Sequence, residues 1–153
     1  MNKRKTGQEQ EVKAACFLKT QRYQILERNY RCKKGEIDLI AREGQYLVFV
    51  EVKYRSTNES GLPEEAVDLR KQRQISRVAA WYLTDKGLDI YTPCRFDVVA
   101  IEGEEIRLYR DAFFLPGLKE EIWETETSAN MEKRIESLSK KMKYRKQTAS
   151  IRK

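Results

Sequence analysis

Apolar and polar positions over the first three quarters of the chain predict two helices and five strands. The predicted elements are, in chain order, a helix over 6–20, strands over 23–31, 35–41 and 46–55, a helix over 63–85, and strands over 95–101 and 106–109. The short polar stretch 42–45 separates two runs rich in β-branched and aromatic residues, which predicts a hairpin. This order indicates an α/β fold with a mixed central sheet.

The first helix is predicted to begin at Thr6, because Thr6 followed by Glu9 fits a capping box. The side chains expected on its buried stripe are those of Val12, Ala15, Cys16 and Lys19. Glu11 shares an adjacent face with Ala15 and Leu18 at helical spacing. Helix geometry alone favours a boundary position for Glu11, with its carboxylate in water.

Pro63 suits the first position of the second helix, and two glutamates follow it where the helix dipole favours acids. The predicted inner stripe of this helix consists of Ile75, Val78, Ala79 and Tyr82. Much of the remaining surface is basic, through Arg70, Lys71, Arg73 and Arg77. This helix therefore combines a core-facing stripe with a cationic outer surface.

The third predicted strand is apolar on both faces except at Glu51 and Lys53, which predicts a central position in the sheet. Burying charged groups in such a strand costs several kcal/mol unless something compensates. Glu36 and Asp38 share one face of the preceding strand. A two-residue turn at Glu43-Gly44 would place Asp38 opposite Phe49 and diagonal to Glu51, within roughly 8 Å.

Any hairpin loop of even length keeps Asp38 and Glu51 on one face of the sheet. Two converging carboxylates repel each other, and Mg²⁺ (or Mn²⁺) resolves this, since it takes one or two carboxylate ligands and several waters. Lys53 would point into the same site and stabilise charge on a phosphoryl group. Two acids, a metal ion and a lysine together predict phosphodiester hydrolysis. The purely structural alternative is a cross-strand ion pair of Glu36 or Asp38 with Lys53.

Composition narrows the chemistry and the partners. The chain has no histidine, which excludes His-based triads and His-ligated zinc. Its three cysteines lack a Cys-x-x-Cys pair, which indicates reduced thiols in the cytoplasm. No apolar run approaches the roughly 20 residues needed to span a bilayer. The net charge of +7 favours nucleic acid or another polyanion as the partner.

A change in composition after Gly117 predicts two parts, a domain over 1–117 and an extension over 118–153. The extension holds 10 basic and 6 acidic residues, and residues 140–153 hold seven basic and no acidic ones. Ile135, Leu138 and Met142 sit at helical spacing. The pattern predicts a marginal amphipathic helix followed by a disordered basic end.

An Asp followed about a dozen residues later by Glu-x-Lys on the adjoining strand resembles the PD-(D/E)xK, restriction-endonuclease-like superfamily. More closely, residues 35–40 together with residues 48–53 and Arg55 resemble the YraN-type family of bacterial proteins, which is similar in pattern to archaeal Holliday-junction resolvases. The resemblance covers roughly residues 5–115 and extends to Gly7, Glu11, Arg28-Asn29-Tyr30, Ala66, Lys71 and Arg95-Phe96-Asp97-Val98-Val99.

The resemblance implies a role for each matching residue. Asp38, Glu51 and Glu11 would hold the metal, and Lys53 would be the catalytic lysine. Glu36 would be a second acid or a structural residue. The residues expected to contact nucleic acid, from the matched motif and the basic helix, are Arg55, Lys71 and Arg73. Asp97 is expected to pair with Arg95.

Three functions fit these features. The first is a Mg²⁺-dependent endonuclease acting on structured DNA, for which the resemblance to resolvases also implies a homodimer. The second is a nucleic-acid-binding protein that has the fold without the activity, and the third is a partner-associated protein that docks through its basic tail.

Overall fold

The computed structural model describes residues 3–55, 67–89 and 91–113, with side chains from residue 5 onward. The helices and strands are α1 (Lys3–Thr20), β1 (Gln24–Cys32), β2 (Gly35–Glu43), β3 (Tyr46–Arg55), α2 (Leu69–Asp85), β4 (Cys94–Glu102) and β5 (Glu105–Tyr109). The predicted order of elements is confirmed. The predictions for the loop 56–62, Pro63 and the extension 118–153 lie outside the described residues.

A single mixed sheet forms the centre of the fold, with strand order β1-β2-β3-β4-β5. The β3–β4 pair is parallel and the other three pairs are antiparallel. The predicted central position of β3 is confirmed. The fold is an α/β, restriction-endonuclease-like core with one helix on each face of the sheet.

Each helix covers its own buried cluster. Leu18 of α1 lies in a cluster with Val48 and Val50, while Ile75 of α2 lies in the other cluster with Phe49. The inner stripe predicted for α2 is confirmed, because Ile75, Val78, Ala79 and Tyr82 are all buried. Since the two clusters contact opposite faces of β3, odd-numbered side chains of β3 point toward α2 and even-numbered ones toward α1.

The prediction for α1 was wrong at its start and in its buried stripe. The helix is already formed at Lys3, since no helix breaker precedes Thr6. Val12 and Cys16 are exposed, while the buried side chains are those of Ala14, Ala15 and Leu18. Glu11 is at i, i+3, i+4 and i+7 spacing with these three, so it belongs to the stripe that faces the sheet.

The second helix, α2, begins at Leu69 in the described part of the chain. Asp68 is its N-cap in an extended conformation, with φ −65° and ψ 165°, and its side chain accepts a hydrogen bond from the Lys71 N–H. An aspartate that satisfies a free N–H group of the first turn is a strong helix start, which explains why α2 begins at Leu69.

The hairpin register differs from the expected one by two residues. Glu43 pairs with Tyr46 and Leu39 with Val50, so the turn residues are Gly44 and Gln45. Gly44 has φ 57°, which a glycine adopts without strain at the first position of a two-residue turn. The loop length stays even, and therefore Asp38 and Glu51 share a face as predicted. Extending this register places Asp38 opposite Glu51 rather than Phe49.

Candidate functional site

The candidate site lies where β2 and β3 separate. Their backbone pairing ends at Leu39–Val50, but β2 continues beside β1 to Gly35, and β3 continues beside β4 to Arg55. Beyond the last pair, Asp38 Oδ2 accepts a 2.8 Å hydrogen bond from the Val52 N–H. The Asp38 carboxylate thus satisfies a backbone donor that the departing strand leaves open, which fixes its position beside β3.

Glu51 is the buried acid of the site, with 5% of its surface exposed. Its Oε1 lies 3.6 Å from Lys53 Nζ and 3.5 Å from Lys71 Nζ. Its Oε2 is buried and has no hydrogen-bond partner among the described residues. A buried carboxylate oxygen without a partner is costly in the interior, so this atom is available to a ligand that can supply positive charge.

The pKa of Asp38 is raised by its buried position beside Glu51. Burial, and then the negative charge of Glu51, raise the pKa of Asp38 to about 7. The hydrogen bond from Val52 and the charge of Lys71 offset part of this rise. Near neutral pH the Asp38 carboxyl is therefore close to the midpoint of its titration.

The two lysines beside Glu51 come from different elements. Lys53 follows Glu51 by two residues on β3, as its position in the strand predicted, and the expected cross-strand pairing of Lys53 with Glu36 is not seen. Lys71 was expected to contact phosphate, yet its ammonium group lies against Glu51. A sequence signal for this exists: Lys71 begins the i, i+4, i+7, i+11 stripe that continues through the buried residues Ile75, Val78 and Tyr82.

Glu11 is half-buried on the sheet-facing side of α1, and its Oε2 is buried without a hydrogen-bond partner in the described part of the chain. The expected location of its whole carboxylate in water is therefore wrong. Within residues 3–55, 67–89 and 91–113, no three acidic, cysteine or histidine side chains gather into a metal-binding group. Of the acids expected to bind the metal, the described part of the chain brings together Asp38 and Glu51, and metal ligation by Glu11 stays a prediction.

Glu36 does not join the acidic pair. It lies on β2 opposite Arg31 of β1, its carboxylate is 3.1 Å from the Arg31 Nε, and both side chains are at least half exposed. The ion pair with Arg31 on the outer strand fits the structural role, one of the two roles that the resemblance implies for Glu36. Arg73 is exposed on α2, and Arg55 ends β3 opposite Glu102 in the parallel ladder.

A second buried acid, Asp97, shows the contrast between a structural and a reactive carboxylate. Asp97 is fully buried and accepts hydrogen bonds from Arg95 at 2.9 and 3.0 Å, from the Tyr23 hydroxyl at 2.7 Å and from the Asp111 N–H at 2.9 Å. The predicted Arg95–Asp97 pair is confirmed. Because its charge is compensated by these donors, Asp97 stabilises the fold, and Glu51 differs from it by having an unpartnered oxygen.

Fold and site together define the class of this protein: a restriction-endonuclease-like α/β domain with paired acids where its two central strands separate. The model of the uncharacterised protein family UPF0102 matches residues 10–101. The UPF0102 protein of Lachnoclostridium phytofermentans is 57% identical over 113 residues, which cover 74% of this chain and 96% of that protein. That of Syntrophus aciditrophicus is 50% identical over 115 residues, covering 72% and 90%. The chain belongs to the UPF0102 family, which confirms the YraN-type resemblance.

Among the described residues, no helix is both long enough and apolar enough to cross a membrane. All three cysteines, Cys16, Cys32 and Cys94, are free thiols.

Proposed function

We propose that this protein is a divalent-cation-dependent nuclease that hydrolyses phosphodiester bonds in DNA. The observation that supports the proposal most strongly is the Asp38–Glu51 pair, two crowded carboxylates flanked by Lys53 and Lys71. A metal ion, carboxylate ligands, an attacking water and a nearby cation are the parts that phosphodiester hydrolysis needs. Asp38, Glu51, Lys53 and Lys71 lie on β2, β3 and the first turn of α2.

The residues present fit Mg²⁺ or Mn²⁺. The unpartnered Oε2 of Glu51 and the raised pKa of Asp38 both indicate negative charge in need of a counterion. Mg²⁺ binds through one or two carboxylates and retains several waters, so two acids suffice as protein ligands. Glu11 is the further acid that we propose as a ligand, on the basis of the family resemblance and its unpartnered oxygen.

Each side chain then has a task. Asp38 and Glu51 would hold the ion, which supplies Lewis-acid polarisation of a phosphate oxygen and lowers the pKa of a water. Lys53 orients the attacking water and stabilises the charge that accumulates on the phosphoryl group. Lys71 holds the Glu51 carboxylate in position, since its ammonium group lies on the same oxygen as that of Lys53.

DNA, and structured DNA in particular, is proposed from the net charge of +7 and from the resemblance to resolvases. A two-fold homodimer would suit a four-way junction, because it could cut two symmetry-related strands. Both the junction and the dimer form part of the proposal.

The experiment is a cleavage assay on linear, flapped and four-way DNA with Mg²⁺ or Mn²⁺. We expect metal-dependent cleavage that falls about 100-fold or more in Asp38→Asn and in Glu51→Gln, because each change removes several kcal/mol of metal-assisted stabilisation. Glu36→Gln is the matched control, since it makes the same chemical change on β2 away from the pair. No cleavage of any substrate by the wild-type chain with either metal would contradict the proposal.

A second function is favoured by one observation: only two acids gather in the described part of the chain. A protein of this fold could bind nucleic acid without cutting it. In that case salt-dependent DNA binding survives Asp38→Asn and Glu51→Gln, and the wild-type chain does not cleave.

A further inference from the structure

A cationic cleft of about 350 Å³ lies beside the acidic pair, and it is lined by Lys34, Asp68, Arg70, Lys71, Gln74 and Arg77. It holds four cations and one acid, a formal charge of +3. The acid, Asp68, is engaged as the N-cap of α2, with Oδ1 2.8 Å from the Lys71 backbone nitrogen. The cleft therefore presents four cationic side chains around one carboxylate that is held by the helix cap.

The cleft is built from two elements that a glycine allows to meet. Gly35, the first residue of β2, has φ 138°, and a Cβ added there would lie 2.6 Å from the Gln74 Nε2 of α2. Next to it, Lys33 places its ammonium group 4.6 Å from the centre of the Trp81 ring. These contacts hold the β1–β2 connection against α2 and bring Lys34 across to the helix.

The α2 side of the cleft is a regular helical stripe. Arg70, Gln74 and Arg77 recur at i, i+4 and i+7, so their side chains lie above one another on one face. Lys71 lies one position further round, where it lines the cleft and also contacts Glu51 at 3.5 Å. Lys71 therefore belongs both to the lining of the cleft and to the surroundings of the acidic pair.

We propose that this cleft is the binding site for the nucleic-acid backbone next to the phosphate held at Asp38 and Glu51. Guanidinium groups bind phosphate oxygens in a bidentate manner, and Gln74 adds a neutral donor. A strand that crosses the cleft would place one phosphate between Lys34 and Arg77 while its neighbour reaches the acidic pair. This inference names the substrate contacts of the proposed nuclease and rests on that function.

The test is DNA binding rather than cleavage. A fluorescein-labelled 20-base-pair duplex is titrated in EDTA, over a range of salt concentrations, with the wild-type chain and with Lys34→Gln/Arg77→Gln. Each lost phosphate contact lowers the salt slope by about 0.9, so two contacts predict a reduction of about 2. At 0.1 M salt this corresponds to a roughly 10- to 60-fold loss of affinity.

Lys5→Gln/Lys19→Gln is the matched control, because it also lowers the formal charge from +7 to +5 but changes exposed lysines of α1 on the other face of the sheet. The charge-conserving Lys34→Arg/Arg77→Lys variant should keep the wild-type slope. Circular dichroism and an unfolding curve establish that each variant is folded.

Equal losses of DNA affinity in the cleft variant and the α1 control, or no loss in either, would contradict the proposal that the cleft binds DNA. If binding depends on the cleft but the wild-type chain never cleaves, the cleft is supported and the nuclease proposal fails. If the wild-type chain cleaves DNA while the cleft variant binds DNA normally, the nuclease proposal stands and the proposal that the cleft binds DNA is wrong.

Discussion

At the scale of single residues, Asp38 should make the stability of this protein depend on pH. Its pKa is about 7 in the folded chain and about 3.9 in an unfolded one. The folded chain therefore holds the proton more tightly, and stability falls as pH rises from about 4 to 7. This cost comes from burial and from Glu51, the same features that make the pair a candidate cation site.

Asp38→Asn should remove that cost, while its amide oxygen can still accept the hydrogen bond from Val52. In EDTA at pH 8 we expect the variant to be more stable to urea by about 1–3 kcal/mol, with most of this gain absent at pH 4, where the wild-type carboxyl is protonated. Urea unfolding curves at the two pH values measure the difference. Glu36→Gln should change little at either pH, and an equal gain from Asp38→Asn at both would contradict the assignment.

The acidic pair could be predicted from the sequence, because Asp38, Glu51 and Lys53 are charged residues inside apolar strands. The position of Lys71 against Glu51 was not predicted, because a basic side chain on a basic helix is expected to be exposed to solvent. Strand parity places Glu36 on the same face as Asp38. Because β2 separates from β3 before Glu36, its side chain pairs with Arg31 of β1 instead.

At the scale of the elements, β3 and the inner stripe of α2 could be predicted because hydrophobic periodicity alone determines them. The start of α2 could not, since the Asp68 cap depends on a local hydrogen bond. The hairpin register depended on which residue adopts positive φ, and Gly44 at the first turn position shifted every pair by two. Even loop length was the part of that prediction that mattered, because it preserved the shared face.

The two glycines Gly35 and Gly7 should respond oppositely to alanine. Gly35→Ala places a Cβ at φ 138° and against Gln74, so it should destabilise the fold by about 1–3 kcal/mol. Gly7→Ala, inside α1 with no atom within 4 Å of the added Cβ, should stabilise it by roughly 0.5–1 kcal/mol. Urea unfolding of both variants measures this, and a neutral Gly35→Ala would show that the connection does not need its close approach to α2.

At the scale of the whole molecule, two regions carry a local excess of positive charge. One is the cleft on α2, and the other is the stretch 118–153, with a net charge of +4. The Lachnoclostridium phytofermentans relative is matched over 96% of its length by 74% of this chain. About a quarter of this chain therefore has no counterpart there.

Deletion of residues 120–153 should leave divalent-cation binding unchanged and weaken DNA binding, with a smaller salt slope, because seven basic residues near the end of the chain are lost. Calorimetry and fluorescence anisotropy on the same truncated chain separate the two effects. A truncated chain that no longer binds the cation would place part of the site in the extension.

Calorimetric titration with Mn²⁺ and Mg²⁺ measures directly whether Asp38 and Glu51 form a divalent-cation site. At pH 6.5 the wild-type chain should bind one cation and release a proton, seen as a dependence of the enthalpy on the buffer, because Asp38 must lose its proton. Glu51→Gln should weaken binding at least about tenfold, as changes at metal sites commonly do, and Glu36→Gln should not. Equal binding by the wild-type chain and Glu51→Gln would contradict such a site and leave the acidic pair a structural feature.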